Sequence, residues 1–113
     1  MLLFKEYNEE KRLDIAWYQS NNVIYSECDD NVNDFKTLRV TFKNGATYQY
    51  DNVLVQDYLM FRNGGLDGSN GKAFIQFIKN KYNCVKLEPK NVQEIEIKLE
   101  QAQKNAKKEK DQD

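Results

Sequence analysis

From Leu38 onward the chain alternates: Leu38, Val40 and Phe42 are apolar, and Arg39, Thr41 and Lys43 between them are polar. This is the period of a strand with one buried face. Asn44-Gly45 follows and supplies a turn, because glycine enters positive φ at little cost. Thr47, Tyr48, Gln49 and Tyr50 then resume the alternation on a second strand. Two registers compete. A two-residue turn would set Phe42 against Thr47 and Arg39 against Tyr50, mixing the faces. A three-residue loop of Lys43-Asn44-Gly45 sets Val40 against Tyr48, Leu38 against Tyr50, Thr41 against Thr47 and Arg39 against Gln49. The second sorts like with like and is preferred; it makes both tyrosines core or half-buried anchors.

Around this hairpin the pattern predicts further elements. Residues 1–14 read as a loosely docked extension with a short strand from Leu2 to Tyr7, and Ile15 to Tyr18 as a segment packing through Trp17. Val23-Ile24-Tyr25 opens a strand that ends by Asp29-Asp30. Leu54, Val55, Tyr58 and Leu59 recur at helical spacing, with Asp51 or Asn52 as cap and Gly64-Gly65 as stop. A second helix begins near Ser69-Asn70-Gly71, buries Phe74, Phe77 and Ile78, and leaves Lys72, Lys79 and Lys81 to solvent. A short strand runs from Cys84 to Leu87, before Pro89. Val92, Ile95, Leu99, Ala102 and Ala106 then follow 3-4-3-4 spacing, with Glu94/Lys98 and Glu100/Lys104 as i,i+4 pairs. That helix can pack on the domain, bind a partner or stand exposed; from Lys107 to Asp113 it should fray.

The expected fold class is therefore α+β: a small antiparallel sheet with a central hairpin, two packed helices and a charged C-terminal helix. Residues 1–19 are taken as an N-terminal extension, 20–88 as the domain, and 89–113 as a charged helical tail. A chain of 113 residues has room for one modest core.

Charge changes this picture by its distribution. The net charge is −1, but residues 1–35 carry 3 cations and 8 acids, residues 36–89 carry 8 and 4, and residues 90–113 carry 6 of each. The most patterned third is the basic one, which points to an anionic partner. Met1-Leu2-Leu3-Phe4 meets charge at Lys5 and Glu6, so it reads as neither a secretory signal nor a membrane span, and no membrane partner is expected. Two cysteines without an export signal read as reduced thiols in the cytoplasm. With no histidine, histidine-dependent triads and histidine metal ligands are excluded.

Three segments carry a family likeness: Ser20-Asn21-Asn22-Val23, Tyr48-Gln49-Tyr50 after Phe42-Lys43-Asn44-Gly45, and Ser69-x-Gly71-Lys72-x-Phe74 leading into Ile78-Lys79. In this order they resemble the KTSC domain, a short bacterial and phage module also found at the C-terminus of some lysyl-tRNA synthetases. The resemblance spans roughly residues 20–87 and implies RNA as a ligand. The acidic approach, the glycine-rich stretch at residues 64–68 and the charged C-terminal helix depart from the compact pattern. They also fit a phage or mobile-element protein acting on a host protein.

The candidate nucleic-acid-binding residues are Arg39, Lys43, Lys72, Lys79 and Lys81, placing phosphates beside an aromatic that stacks on an unpaired base. The structural motif residues are Asn44, Gly45, Tyr48 and Tyr50. For the alternative, a host-protein inhibitor, the candidates are Glu27, Asp29, Asp30 and Leu99. The glycine-rich run before Lys72 fails as a phosphate loop: Leu66 stands where the first glycine belongs, and Ala73 lacks the hydroxyl. Asp29, Asp30 and Asp34 lack the spacing of a calcium loop, and neither Cys28 nor Cys84 has a base. No catalytic residue, metal ligand or cofactor is assigned. The chain reads as a noncatalytic binding module for RNA or single-stranded DNA.

Overall fold

The computed structural model describes residues 1–30 and 34–111, the last four as backbone. Six strands form one antiparallel sheet in chain order: β1 Leu2–Asn8, β2 Leu13–Tyr18, β3 Val23–Asp29, β4 Phe35–Phe42, β5 Thr47–Leu54 and β6 Cys84–Leu87. Between β5 and β6 lie α1 Val55–Arg62 and α2 Asn70–Phe74, the latter continued by a wide π turn, Ile75–Lys79. Helix α3, Val92–Asp111, follows β6. The fold is α+β, as the pattern predicted.

The hairpin adopts the like-with-like register: Leu38 opposes Tyr50, Arg39 Gln49, Val40 Tyr48 and Thr41 Thr47. The loop is Lys43-Asn44-Gly45, closed by the Phe42 N–H donating to the Ala46 carbonyl at 2.9 Å and the Gly45 N–H donating to the Phe42 carbonyl at 2.8 Å. Gly45 sits at φ +91°, and a Cβ there would lie 2.7 Å from the Lys90 carbonyl oxygen. Glycine is thus required twice, for the left-handed turn and for the close passage of the chain entering α3.

The sheet is covered on both faces. On one, Ala16, Tyr18, Val23, Cys28, Leu38, Val40, Tyr50 and Val53 pack beneath Tyr58, Phe61, Phe74 and Ile78 of the helical layer. Each such fully buried large side chain contributes about 1.5–3 kcal/mol. On the other face, Ile15, Trp17 and Tyr25 pack beneath Ile95 and Ala102 of α3, with Leu99 half-buried at the margin. The Trp17 indole N–H donates to the Ile95 carbonyl at 3.2 Å. Of the three placements open to the last helix, packing on the domain is the one adopted.

Several local expectations change. Residues 1–14 supply β1 and the start of β2, paired with each other and, through β2, with β3, so they are not loosely docked. Asp51 and Asn52 do not cap α1. They form the long side of a bulge opposite Thr37, with Asn52 at φ +57°, and β5 runs on to Leu54. Helix α1 buries Tyr58, as expected, together with Phe61 and Asp57, whereas Val55 and Leu59 are exposed. The Asp57 carboxylate accepts from the Tyr82 hydroxyl at 2.5 Å and pairs with Lys81 at 3.3 Å. Phe77 is half-buried rather than core. The C-terminal segment remains helical through Asp111, because alanine, lysine and glutamate hold a helix without an apolar anchor; residues 112–113 lie outside the described residues.

Candidate functional site

A cavity of about 800 Å³ opens between the end of the β4–β5 hairpin and the α2 layer. Its walls are Phe42, Tyr48 and Tyr50 from the hairpin and Phe74 and Ile75 from the helical run, with Cys84 at one end. The rings support one another edge to face: Phe42 with Tyr48 at 5.8 Å, Phe42 with Phe74 at 5.2 Å and Tyr50 with Phe74 at 5.8 Å. Phe74 and Tyr50 are almost closed off, while Phe42 and Tyr48 remain half-exposed. Burial, reinforced by Cys84, pushes the Tyr50 phenol up, so it stays neutral.

The rim is polar and basic. Lys43 comes from the hairpin loop, Lys79 from the end of the π turn, and Asn21 and Asn22 from the β2–β3 turn. That turn is shaped by Ser20, whose hydroxyl oxygen accepts from the Asn22 and Val23 N–H groups at 3.1 and 3.2 Å. The Lys43 N–H donates to the Asn22 carbonyl at 2.7 Å, tying the turn to the hairpin. Gly71 lets α2 approach: a Cβ there would stand 3.3 Å from the Ser20 hydroxyl oxygen. Beyond Asn21 and Asn22 the groove continues into a second hollow of about 430 Å³, lined by Ser69, Asn70, Gly71, Lys72 and Asp67. The Ser69 hydroxyl oxygen caps α2 by accepting from the Lys72 N–H at 3.3 Å. Asn70 is fully buried, its Nδ2 donating to the Phe61 and Arg62 carbonyls at 2.8 Å each, which locks α2 against the end of α1.

The proposed cations therefore divide. Lys43 and Lys79 line the cavity, and Lys72 lines the adjoining hollow, which shares Asn21, Asn22, Gly71 and Ile75 with it. Lys81 is engaged by Asp57 and lies over the Phe77 ring. Arg39 is on the opposite face of the sheet, where it pairs with Asp29 at 2.8 Å and Glu27 at 3.4 Å. The acids proposed for a protein partner also have internal partners. Burial opposes the charge of Glu27, yet the Tyr25 hydroxyl, Lys90 and Arg39 together hold its carboxyl below the usual range. Asp30 accepts from the Tyr7 hydroxyl at 2.8 Å and pairs with Lys36 at 3.6 Å. Leu99 packs beside Trp17 and Tyr25.

Sequence reasoning did not select Phe42, Phe74, Asn21 or Asn22 for this site. The available signal was the likeness itself: its three segments are scattered in sequence and converge on this groove. Cys28 is not part of it; burial pushes that thiol up to about 12, leaving it an inert core group. No helix among the described residues is long and apolar enough to cross a membrane. Comparison with known families finds a match to the KTSC domain across residues 32–82, inside the span of the likeness. No curated protein matches the chain.

Proposed function

Because the chain carries a KTSC domain, with its aromatic motif in the wall of a lysine-rimmed groove, we propose that it is a noncatalytic module that binds single-stranded nucleic acid, RNA foremost, in the cytoplasm. The observation that carries this reading is the composition of the main cavity. Phe42, Tyr48, Tyr50 and Phe74 supply apolar ring surface, Lys43 and Lys79 supply positive charge, and no acid among the described residues lines it. Aromatic surface takes an unpaired base, and lysines at the rim hold phosphates while releasing counterions. Asn21 and Asn22 add donors and acceptors within reach of a base edge. A host-protein inhibitor acting through Glu27, Asp29, Asp30 and Leu99 is less well supported, because these residues are spent on internal contacts.

The test is fluorescence anisotropy with a labelled unstructured RNA at low salt. The double variant Lys43→Ala/Lys79→Ala should lose about tenfold in affinity and flatten the salt dependence by roughly one unit per lysine removed. Arg39→Gln, on the other face, should bind within about twofold of the parent. Equal loss in both variants would mean that general positive charge, and not the groove, holds the ligand.

A further inference from the structure

We propose that the groove recognises a short unpaired segment of two or three nucleotides centred on one stacked base, and does not track a long strand. This rests on the nucleic-acid reading above and adds its scale.

Four observations set that scale. First, the ring surface is small. Phe74 and Tyr50 are 4% exposed, and only Phe42 and Tyr48 keep open area. These two meet edge to face at an interplanar angle of 76°, so together they offer one ring face to a base and not a row of platforms. Second, the cations are few and close. Lys72 and Lys79 lie seven residues apart on one helical run, a rise of roughly 10 Å. That distance suits the phosphates flanking one or two splayed nucleotides. Lys43 lines the same cavity as Lys79, from the hairpin loop.

Third, the charge turns mixed beyond the cavity. The hollow past Asn21 and Asn22 holds Asp67 with Lys72. The recess that shares Cys84 holds Asp51 with Lys81. A polyanion extended in either direction would meet an acid beside each lysine and no run of cations. Fourth, the strand cannot continue around the sheet, because α3 covers the reverse face over Trp17 and Tyr25. A cavity of about 800 Å³ belongs with pockets for small ligands, which run from roughly 300 to 1,000 Å³.

The inference separates this protein from strand-coating proteins, whose sites accumulate contacts with every added nucleotide. Its ligand is instead a local feature such as a bulge, an overhang or a free end. The experiment is a length series of RNA and DNA oligonucleotides from one to twelve residues, bound to the full chain, with affinities corrected for overlapping sites. Trp17 fluorescence checks the fold of each sample.

Affinity per site should level off by three nucleotides. Its logarithm should fall with the logarithm of salt at a slope of about −2, the value for three lysines on a single strand. An otherwise paired RNA with a two-nucleotide bulge should bind like the trinucleotide, and the fully paired duplex at least tenfold more weakly. The RNA and DNA arms decide whether the sugar contributes. A tenfold or greater rise between three and nine nucleotides, or a slope steeper than about −5, would overturn the short footprint while leaving the nucleic-acid reading intact. Absence of binding at every length would refute that reading and the footprint with it.

Discussion

The two faces of the sheet use the same strands to opposite ends. Beneath α1 and α2 the strands present mostly apolar side chains, yet this covered face keeps the cavity at the hairpin end, where Phe42 and Tyr48 are only half-covered. The α3 face presents Glu27, Arg39, Thr41 and Thr47 among its residues, and there the polar groups are consumed internally. Arg39 joins Glu27 to Asp29, and the Thr41 and Thr47 hydroxyls meet at 3.0 Å. Polar character alone is therefore a poor guide to a binding face. What matters is whether the neighbouring elements satisfy the polar groups or leave surface uncovered.

This contrast can be broken by substitution. Phe61→Ala should have the largest effect: Phe61 is fully buried and touches both Tyr18 and Phe74. A loss of about 3–5 kcal/mol is expected in urea unfolding, together with weakened RNA binding as Phe74 loses its support. Ile95→Ala should cost less, about 2 kcal/mol, since Ile95 closes only one side of Trp17. Trp17 is the sole tryptophan, so its emission should shift to the red while RNA affinity holds. A matching fall in affinity would show that the two faces are energetically one unit.

The smallest effect concerns acid. The carboxyl of Glu27 is lowered in the folded state, so its contribution is present above the unfolded value of about 4.3 and is lost as pH falls through the folded value. Glu27→Gln should therefore flatten the loss of stability below about pH 4.3, read from urea midpoints, without altering RNA binding at neutral pH.

The hairpin was legible because two independent signals agreed: strict alternation and a glycine at the one position where the sorted register needs positive φ. Strand β2 was not. Ile15, Ala16, Trp17 and Tyr18 are all buried because both faces of the sheet are covered, and a strand buried on both sides shows no alternation. Helix α1 misled for a different reason. Val55 and Leu59 have the spacing of a core face, but Tyr82, 25 residues beyond Asp57, draws the carboxylate inward. Asp51-Asn52 carried the residues of a cap and served a bulge. Of the proposed cations, period-2 alternation already separates Arg39 from the tyrosines, yet nothing local shows that Lys43 and Lys79 line one cavity with Lys72 in the adjoining hollow. That depends on how closely α2 settles over the β2–β3 turn, which Gly71 permits.

The sheet's strand order, identical to the chain order, has a consequence for how the molecule assembles. From β1 to β5 each strand is joined to the next by only four or five residues, so little chain entropy is lost before contacts form. Strand β6 must wait for the helical excursion between residues 55 and 83. The Trp17–Ile95 contact bridges 78 residues, and topology predicts that so long a closure comes late. The lone tryptophan should therefore report the closing of α3 in refolding kinetics.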